Sequence, residues 1–313
     1  GSRQLVRQFC LLHEKYLSKI MNIPLPKTGY LLFFLLSLAL SLSLYKLGDL
    51  PYSVHGDEGE TALAALDIAK GKTGIFGVGW YDVPLFAFVP HAVTMAVFGE
   101  NTFGNRLGSV VFAIATIPLF YLLVGMLFTK RIALTATVLL ATSHMWIALS
   151  RLGLPYVQTT FFVVSTVYFL IGGMKMEQKK FFVLGGIFLG LCFYSYYPAR
   201  IVPFLLFPYV FVYFPKAKNR KKALVHMAIF LASAVITFIP QGKYFLEHPE
   251  TFSSRTDTVF IFSETGRQWT NYNKSNGEVL LEQTKKTVDI FRGDNSTQYG
   301  YKGQLIDYIT LTF

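Results

Sequence analysis

Long apolar runs constrain this chain more than any other feature of its sequence. A helix that crosses a bilayer needs about 17–25 predominantly apolar residues. Five runs meet this requirement, at residues 29–47, 107–128, 132–149, 154–173 and 223–239. Hydrophobic residues make up 52% of the 313 residues and charged residues only 15%. The sequence therefore predicts an all-α integral membrane protein, and it excludes a disordered chain, a coiled coil and a disulfide-rich secreted fold.

Residues 181–214 form a longer apolar stretch that is interrupted by Tyr197-Pro198-Ala199-Arg200. If this stretch crosses once, the basic segment 216–222 lies outside, against the rule that short basic loops stay in the cytoplasm. Two crossings keep that segment inside, together with the basic connections at 130–131 and 174–180. The pattern predicts about seven transmembrane helices. The net charge of +11 is then a topology signal, and no nucleic-acid partner is expected.

This topology divides the chain into four segments. Residues 1–28 are expected to form a cytoplasmic amphipathic arm, and residues 29–239 a transmembrane module with a long outer loop at 48–106. Residues 240–304 are polar and are expected on the outer face. Residues 305–313 turn apolar again, as expected for the start of a truncated eighth span. Within the outer loop, residues 56–71 and 79–98 predict helices, and the second should lie along the membrane interface, with Trp80 and Tyr81 as anchors.

Two adjacent carboxylates, Asp57 and Glu58, follow the first span directly. One interpretation is structural, since acidic residues in the first turn of a helix complement its dipole. The other is catalytic, since the pair lies at the membrane surface, where a lipid head group would be. Successive helical residues point about 100° apart, so that one carboxylate can face a pocket while the other supports it.

Two arginines, Arg151 and Arg200, are expected at the same outer face, which positive charge normally avoids. A structural interpretation is that they reach towards lipid phosphate from helix ends. The functional interpretation is that at least one binds the phosphate of a ligand, because guanidinium groups bind phosphate bidentately. Tyr196 and Tyr197 would complete this donor-binding site by packing against a sugar or an isoprenoid chain.

Four further residues of the outer side are possible acceptor or metal contacts: His55, Asp82, His91 and His248. Their spacing matches no tight metal-binding motif, so the sequence predicts no certain cofactor and leaves a divalent metal ion as a possibility.

The segment His55-Gly56-Asp57-Glu58 resembles the Asp-Glu motif of GT-C glycosyltransferases that use polyprenyl-phosphate sugars. The similarity is to the group of protein O-mannosyltransferases and aminoarabinose transferases (family 39), and it extends from about residue 30 to the end. Further similar stretches lie at 150–153, 194–200, 244–250 and 291–295. Where many relatives carry Lys-Pro-Pro-Leu, this chain has Asp82-Val83-Pro84-Leu85.

The resemblance implies an inverting transfer of a sugar from a polyprenyl-phosphate carrier to an acceptor hydroxyl or amine. It implies Asp57 as the general base, Glu58 as its partner, and Arg200 or Arg151 as a phosphate ligand. The reaction would take place at the non-cytoplasmic face of a bacterial or archaeal plasma membrane, among membrane lipids. Two alternatives stay open: a transporter or flippase of a lipid-linked or anionic solute, and a non-catalytic truncated GT-C module. The sequence identifies neither the sugar nor the acceptor.

Overall fold

The computed structural model describes residues 28–54, 56–206, 208 and 219–259. Within these ranges the secondary structure consists of helices and turns, with no β-strand. One isolated antiparallel bridge joins Val78 and Pro84. The predicted all-α class is therefore confirmed for this part of the chain. The amphipathic arm up to residue 27, most of the polar segment 240–304 and the segment 305–313 lie outside the described residues.

The α-helices are numbered here in chain order. They are α1 (Thr28–Leu44), α2 (Gly56–Ala69), α3 (Val89–Phe98), α4 (Thr102–Leu127), α5 (Lys130–Ala141), α6 (His144–Ser150), α7 (Tyr156–Met176), α8 (Lys179–Cys192), α9 (Arg220–Glu247) and α10 (Pro249–Val259). Short 3-10 helices form at Trp80–Asp82, Leu85–Phe88 and Tyr197–Ile201. Helix α10 belongs to a second unit that begins at Pro249.

Three of these helices, α4, α7 and α9, are long and apolar enough to cross a membrane. The predicted span at 132–149 is not one straight helix, because α5 and α6 are bent by 56° at a short break, and together they make a fourth candidate span. Helix α1 and the segment Leu85–Phe98 are apolar but shorter. Seven spans are therefore not confirmed. Helix α8 has only 14 residues, and residues 209–218, which would complete the following span, are not described.

Helices α7, α8 and α9 share one apolar core, in which Leu170, Phe182 and Phe230 are buried. Helix α8 approaches α9 closely at glycines. A Cβ atom added at Gly186 would overlap the carbonyl oxygen of Phe230 and lie 2.7 Å from the Cβ of Ser233. Small residues at such contacts let helix backbones come together where lipid supplies no hydrophobic driving force.

We expect the substitution Gly186→Ala to destabilise the protein by about 1–3 kcal/mol, because α8 and α9 must separate to admit one methyl group. The matched control is Gly29→Ala in α1, where an added Cβ meets nothing within 4 Å and the expected change is within about 0.5 kcal/mol. Thermal unfolding of the detergent-solubilised protein measures both. Equal melting temperatures for the two variants would contradict the close packing of α8 on α9.

Helix α9 continues for seven residues beyond Pro240, where the sequence predicted the polar segment to begin. The side chain of Tyr194 supplies hydrogen bonds to the helix backbone next to this proline. The hydroxyl of Tyr194 donates a hydrogen bond to the carbonyl of Thr237 (2.8 Å) and accepts one from the backbone N–H of Gln241 (3.3 Å). It thereby bridges the two groups that an undistorted helix would pair directly. The sequence alone did not indicate that a distant tyrosine would form hydrogen bonds to these backbone groups.

Side-chain contacts link the segments that connect the helices, and these contacts lie at two opposite ends of the helices. At one end, Arg106 of α4 reaches the carbonyl of Leu47 after α1, and Gly153 before α7 contacts α2. At the other end, Lys222 of α9 pairs with Glu177 after α7, at 2.6 Å. The long segment between α1 and α4 therefore packs against the connection that precedes α7.

Candidate active site at the start of helix α2

Helix α2 begins at Gly56, directly before the acid pair, and His55 lies outside the described residues. Asp57 and Glu58 occupy its first turn, where their charge complements the helix dipole. Farther along, Ala65 is buried against Val83 and Phe88 of the following segment. Both acids therefore lie where the structural interpretation expected them, in the first turn of the helix. The surroundings of the two side chains differ.

Glu58 is held in a buried, bidentate ion pair with Arg106 of α4. The Nε of Arg106 lies 2.7 Å from Oε1 of Glu58, and its Nη2 lies 3.0 Å from Oε2. The two side chains are 1% and 0% exposed for Glu58 and Arg106 respectively. A charge removed from water this completely is tolerated when it is paired and its remaining hydrogen-bonding groups are satisfied.

Backbone groups satisfy the rest of this pair. The backbone N–H of Gly153 donates to Oε1 of Glu58 at 2.9 Å, and Nη1 of Arg106 donates to the carbonyls of Leu47 and Pro51 at 3.0 and 3.2 Å. One network therefore joins the end of α1, the start of α2, helix α4 and the connection before α7. It fixes where α2 begins.

Arg106 is the residue that the sequence analysis missed. It was placed at the end of an outer loop, whereas α4 begins at Thr102 and carries Arg106 on its second turn. A charged residue inside a membrane-capable helix generally has a partner in the protein, and the nearby Glu58 was an available acid. Recognising that Asn101 caps α4, by accepting a hydrogen bond from the Gly104 N–H, would have moved Arg106 into the helix.

Asp57 precedes Glu58 by one helical position and is partly exposed, while Glu58 is buried. Because consecutive helical side chains diverge by about 100°, the fixed Glu58 determines the direction of Asp57. Glu58 is therefore the buried member of the pair and Asp57 the partly exposed one, while their division of roles stays a prediction. Asp57 is the member of the pair that a ligand at the surface can reach.

Arg151 contacts the end of helix α1. Its Nη1 donates to the carbonyls of Leu42 and Ser43 at 2.7 and 3.0 Å, and its Nη2 donates to those of Tyr45 and Leu50 at 2.7 and 3.1 Å. The last carbonyls of a helix lack partners within it, and a cation there also favours the negative end of the helix dipole. This arrangement directs the Arg151 guanidinium to the backbone, so it does not lie open to a phosphate.

We expect Arg151→Lys to lower the free energy of unfolding by about 1.5–3 kcal/mol, because an ammonium group cannot reproduce the fork of hydrogen bonds. Arg220→Lys is the matched control, since Arg220 is exposed at the first position of α9 and should tolerate the change within about 0.5 kcal/mol. Chemical denaturation in detergent distinguishes the two. If Arg151→Lys unfolds like the wild type but binds phosphate ligands less tightly, a phosphate-binding role would replace the capping role.

Arg200 lies in the 3-10 helix Tyr197–Ile201 and is surrounded by aromatic rings. Its guanidinium carbon is 4.4 Å from the ring centre of Tyr197 and 5.2 Å from that of Phe245. Burial lowers the pKa of Arg200 from its usual value, and the nearby Tyr197 and Asp82 act in the opposite direction. Such a cation, stacked on aromatic faces and only partly hydrated, suits an anionic ligand at a membrane surface.

Tyr196 and Tyr197 connect this arginine to helix α2. Both pack against the apolar cluster that contains Ala65 of α2, and Tyr196 stacks on Trp80 with ring centres 6.2 Å apart. The hydroxyl of Tyr197 donates to the carbonyl of Tyr81. The structure therefore brings the predicted tyrosines and Arg200 to the same end of the molecule as the acid pair.

The segment between α2 and α3 is attached to α9 as well. The buried side chain of Gln241 accepts a hydrogen bond from the N–H of Gly77 (3.4 Å) and donates one to its carbonyl (3.2 Å). Tyr81 and Asp82 then adopt left-handed backbone conformations, with φ of 47° and 58°. This turn brings Asp82 into the electrostatic environment of Arg200.

The predicted histidine contacts do not form a metal site in the described part of the chain. His91 is buried, and its Nδ1 lies 2.8 Å from the carbonyl oxygen of Asn105. Burial lowers the pKa of His91, which favours its neutral form. The His248 ring packs against Tyr244 instead, with centres 4.7 Å apart. Among the described residues, no group of three or more His, Cys, Asp or Glu side chains could hold a metal ion.

Three helices, or four with the bent pair, are membrane-capable in the described part of the chain, and this defines a polytopic membrane protein. Its connecting segments carry the acidic start of α2 and the aromatic-lined Arg200. Residues 82–241, just over half of the chain, match the family described as dolichyl-phosphate-mannose-protein mannosyltransferase. The chain belongs to this family, and it is an integral membrane glycosyltransferase of the GT-C type. No curated protein and no solved structure matches the chain significantly.

The matched residues include Arg106, Arg151 and Arg200 and extend to Gln241, while Asp57 and Glu58 precede them. The family therefore establishes the class of the protein, a mannosyltransferase-like membrane glycosyltransferase of the GT-C type. The assignment of the acid pair rests on the residues themselves and on their geometry.

Proposed function

We propose that the protein transfers a sugar from a polyprenyl-phosphate carrier to an acceptor hydroxyl or amine on the non-cytoplasmic side of the membrane. The observation that carries this proposal is the buried Glu58–Arg106 pair, which fixes the start of α2 and leaves Asp57 at its surface. The family name supports a polyprenyl-phosphate-linked mannose as the donor.

Asp57 acts as the general base in this proposal. The acceptor hydroxyl loses its proton to the Asp57 carboxylate while its oxygen bonds to the anomeric carbon from the face opposite the phosphate. The bond between that carbon and the phosphate oxygen breaks, and the configuration inverts. A positioned base of this kind accounts for about 10²–10⁴-fold in rate. The phosphate leaves as an anion and needs no acid to protonate it, unlike the leaving group of a glycoside hydrolase.

Arg200 is the phosphate ligand in this proposal. Charge develops on the departing polyprenyl phosphate, and a preorganised cation that is partly removed from water stabilises it. The guanidiniums of Arg106 and Arg151 bind an internal carboxylate and backbone carbonyls respectively, which favours Arg200 over either of them. Tyr196 and Tyr197 supply aromatic surface beside it for the sugar or the first isoprene units.

The non-cytoplasmic face is proposed from charge. The basic connections at 130–131, 174–180 and 216–222 belong in the cytoplasm, and α4, α7 and α9 then direct the acid pair and Arg200 outward.

A donor-turnover measurement tests the proposal. The purified chain in liposomes is given synthetic polyprenyl-phosphate mannose, labelled in the sugar, with cell membranes as the source of acceptors. Transfer of label with release of polyprenyl phosphate supports the proposal. Movement of intact donor across the bilayer without release would instead support the flippase alternative. If the protein neither transfers label nor moves the donor, the non-catalytic alternative is supported.

We expect Arg200→Gln to weaken donor binding about 10–100-fold, because one charged hydrogen-bonding partner of the phosphate is lost. Arg220→Gln, at the opposite end of α9 from Phe245, is the control and should bind the donor like the wild type. Equilibrium binding of the labelled donor to detergent-solubilised protein measures both affinities. Unchanged binding by Arg200→Gln would exclude this arginine as the phosphate ligand.

A further inference from the structure

Basic residues cluster at the end of the helices at which α5, α8 and α9 begin. They occupy the first turns of these helices: Lys130 and Arg131 in α5, Lys179 and Lys180 in α8, and Arg220, Lys221 and Lys222 in α9. Over residues 129–135, 174–184 and 219–227 the sequence contains one acid, Glu177, which pairs with Lys222. These segments therefore carry a large excess of positive charge.

Packing brings the starts of the three helices together. Lys175, near the end of α7, donates a hydrogen bond to the carbonyl of Met126 in α4, and α5 follows α4 after a short connection. The ring of Phe182 in α8 stacks on that of His226 in α9, with ring centres 4.7 Å apart. The basic residues therefore lie at one surface, here called the cationic surface. Its exposed members are Lys130, Lys179, Lys180, Arg220, Lys221 and Lys222.

Helix stability and membrane topology do not require these cations to meet. The first turn of a helix is the positive end of its dipole, where acids are favoured and cations are disfavoured. Basic residues, and no acid, occupy the first turns of α5, α8 and α9. The rule that keeps basic loops in the cytoplasm counts the charge of each loop and does not depend on contact between loops. Several cations at one surface repel one another, and an anionic ligand relieves this repulsion.

Exposed apolar side chains follow the cations within about one helical turn. They include Ile132 in α5, Val183 and Leu184 in α8, and Leu224 in α9. A surface with cations at its edge and apolar side chains beside them matches an amphiphile, because both attraction to the charged head and burial of apolar area strengthen its binding. A soluble phosphate would use the cations alone. The pattern therefore favours an anionic lipid as the ligand.

We propose that the cationic surface binds the head group of an anionic phospholipid from the leaflet at this end of the helices. Lys179, Lys180 and Lys221 bind the anionic head, and the acyl chains lie against the exposed apolar side chains of α8 and α9. Each basic residue near an anionic membrane surface strengthens such binding about fivefold. The site lies at the other end of α9 from Phe245, the ring beside Arg200, so it does not depend on the proposed sugar transfer.

Lipid titrations test the inference directly. The detergent-solubilised full chain is titrated with fluorescent phosphatidylglycerol, and separately with phosphatidylcholine that carries the same acyl chains and label. We expect the anionic lipid to bind at least tenfold more tightly, and its affinity to fall as the salt concentration rises. Equal affinities for the two lipids, or an affinity that does not change with salt, would overturn the proposal. Displacement of the lipid by soluble glycerol phosphate would overturn it too, because a soluble phosphate would then be the ligand.

A double variant, Lys179→Gln with Lys180→Gln, should weaken phosphatidylglycerol binding about 10–30-fold and leave phosphatidylcholine binding unchanged. The matched control is Lys72→Gln with Lys243→Gln, which removes the same charge from two exposed lysines away from the cationic surface and should bind like the wild type. Lys179→Arg with Lys180→Arg keeps the charge and should retain binding. Equal affinities of the first double variant and the control would overturn the proposal.

A second pair of substitutions tests whether the three helix starts share one site. Lys130→Gln with Lys221→Gln changes α5 and α9 and should also weaken phosphatidylglycerol binding about 10–30-fold. Unchanged affinity in this variant would confine binding to α8 and overturn the shared surface. Affinities are compared for variants that elute and melt like the wild type. If a glutamine variant does not, the arginine variant and the salt dependence of wild-type binding decide the outcome.

Discussion

Arg106→Met is expected to destabilise the protein by about 3–5 kcal/mol, because it leaves the Glu58 carboxylate buried without its counter-charge. The same change removes the donor to the carbonyls of Leu47 and Pro51. The expected loss is a large fraction of the total stability of an ordinary domain. Denaturant unfolding in detergent, or the fraction of protein that stays monodisperse after purification, measures it.

Two comparisons isolate the buried charge as the cause. The double variant Glu58→Gln with Arg106→Met contains no unpaired charge and keeps an acceptor for the Gly153 N–H, so it should recover much of the lost stability. Lys70→Met breaks an ion pair of similar length whose side chains are 42% and 51% exposed, and should cost at most about 1 kcal/mol. If Arg106→Met were no worse than Lys70→Met, the pair would not fix the start of α2.

Asp57→Asn is expected to reduce sugar transfer by about 10²–10⁴-fold, because an amide cannot accept the acceptor proton. The substitution keeps the size and shape of the side chain, so donor binding and melting temperature should change little. Initial rates of label transfer from polyprenyl-phosphate mannose measure the effect.

Glu60→Gln is the matched control for this experiment, since Glu60 is an exposed carboxylate on the same helix. Its rate should equal that of the wild type. Wild-type turnover by Asp57→Asn would remove Asp57 from the mechanism, whereas equal losses in both variants would point to the charge of the helix end rather than to a base.

Substitutions of Asp57 and Glu58 are expected to have different consequences, although the two acids are adjacent in the chain. A change at Glu58 disturbs the network that joins α1, α2 and α4, so a loss of activity there also reflects a loss of structure. Asp57 is partly exposed, and its effect on rate can be measured in a protein that remains folded. The isosteric Asp57→Asn variant is therefore the decisive one for the mechanism.

Local sequence determined the helical class, the acidic start of α2 and the turn that carries Arg200. Apolar runs and first-turn acids act over a few residues, where the spacing along the chain sets the spacing in space. The same information did not show that α4 begins at Thr102, that a break separates α5 from α6, or that α9 continues past Pro240.

The tertiary structure decided which charges meet. Arg106 and Arg151 are both arginines near helix ends, yet one neutralises Glu58 and the other caps α1. Partners that lie 48 and 109 residues apart in the chain cannot be inferred from periodicity, because their meeting depends on how whole helices pack. Periodicity reports which face of a helix is buried, and only the packed fold specifies what that face touches.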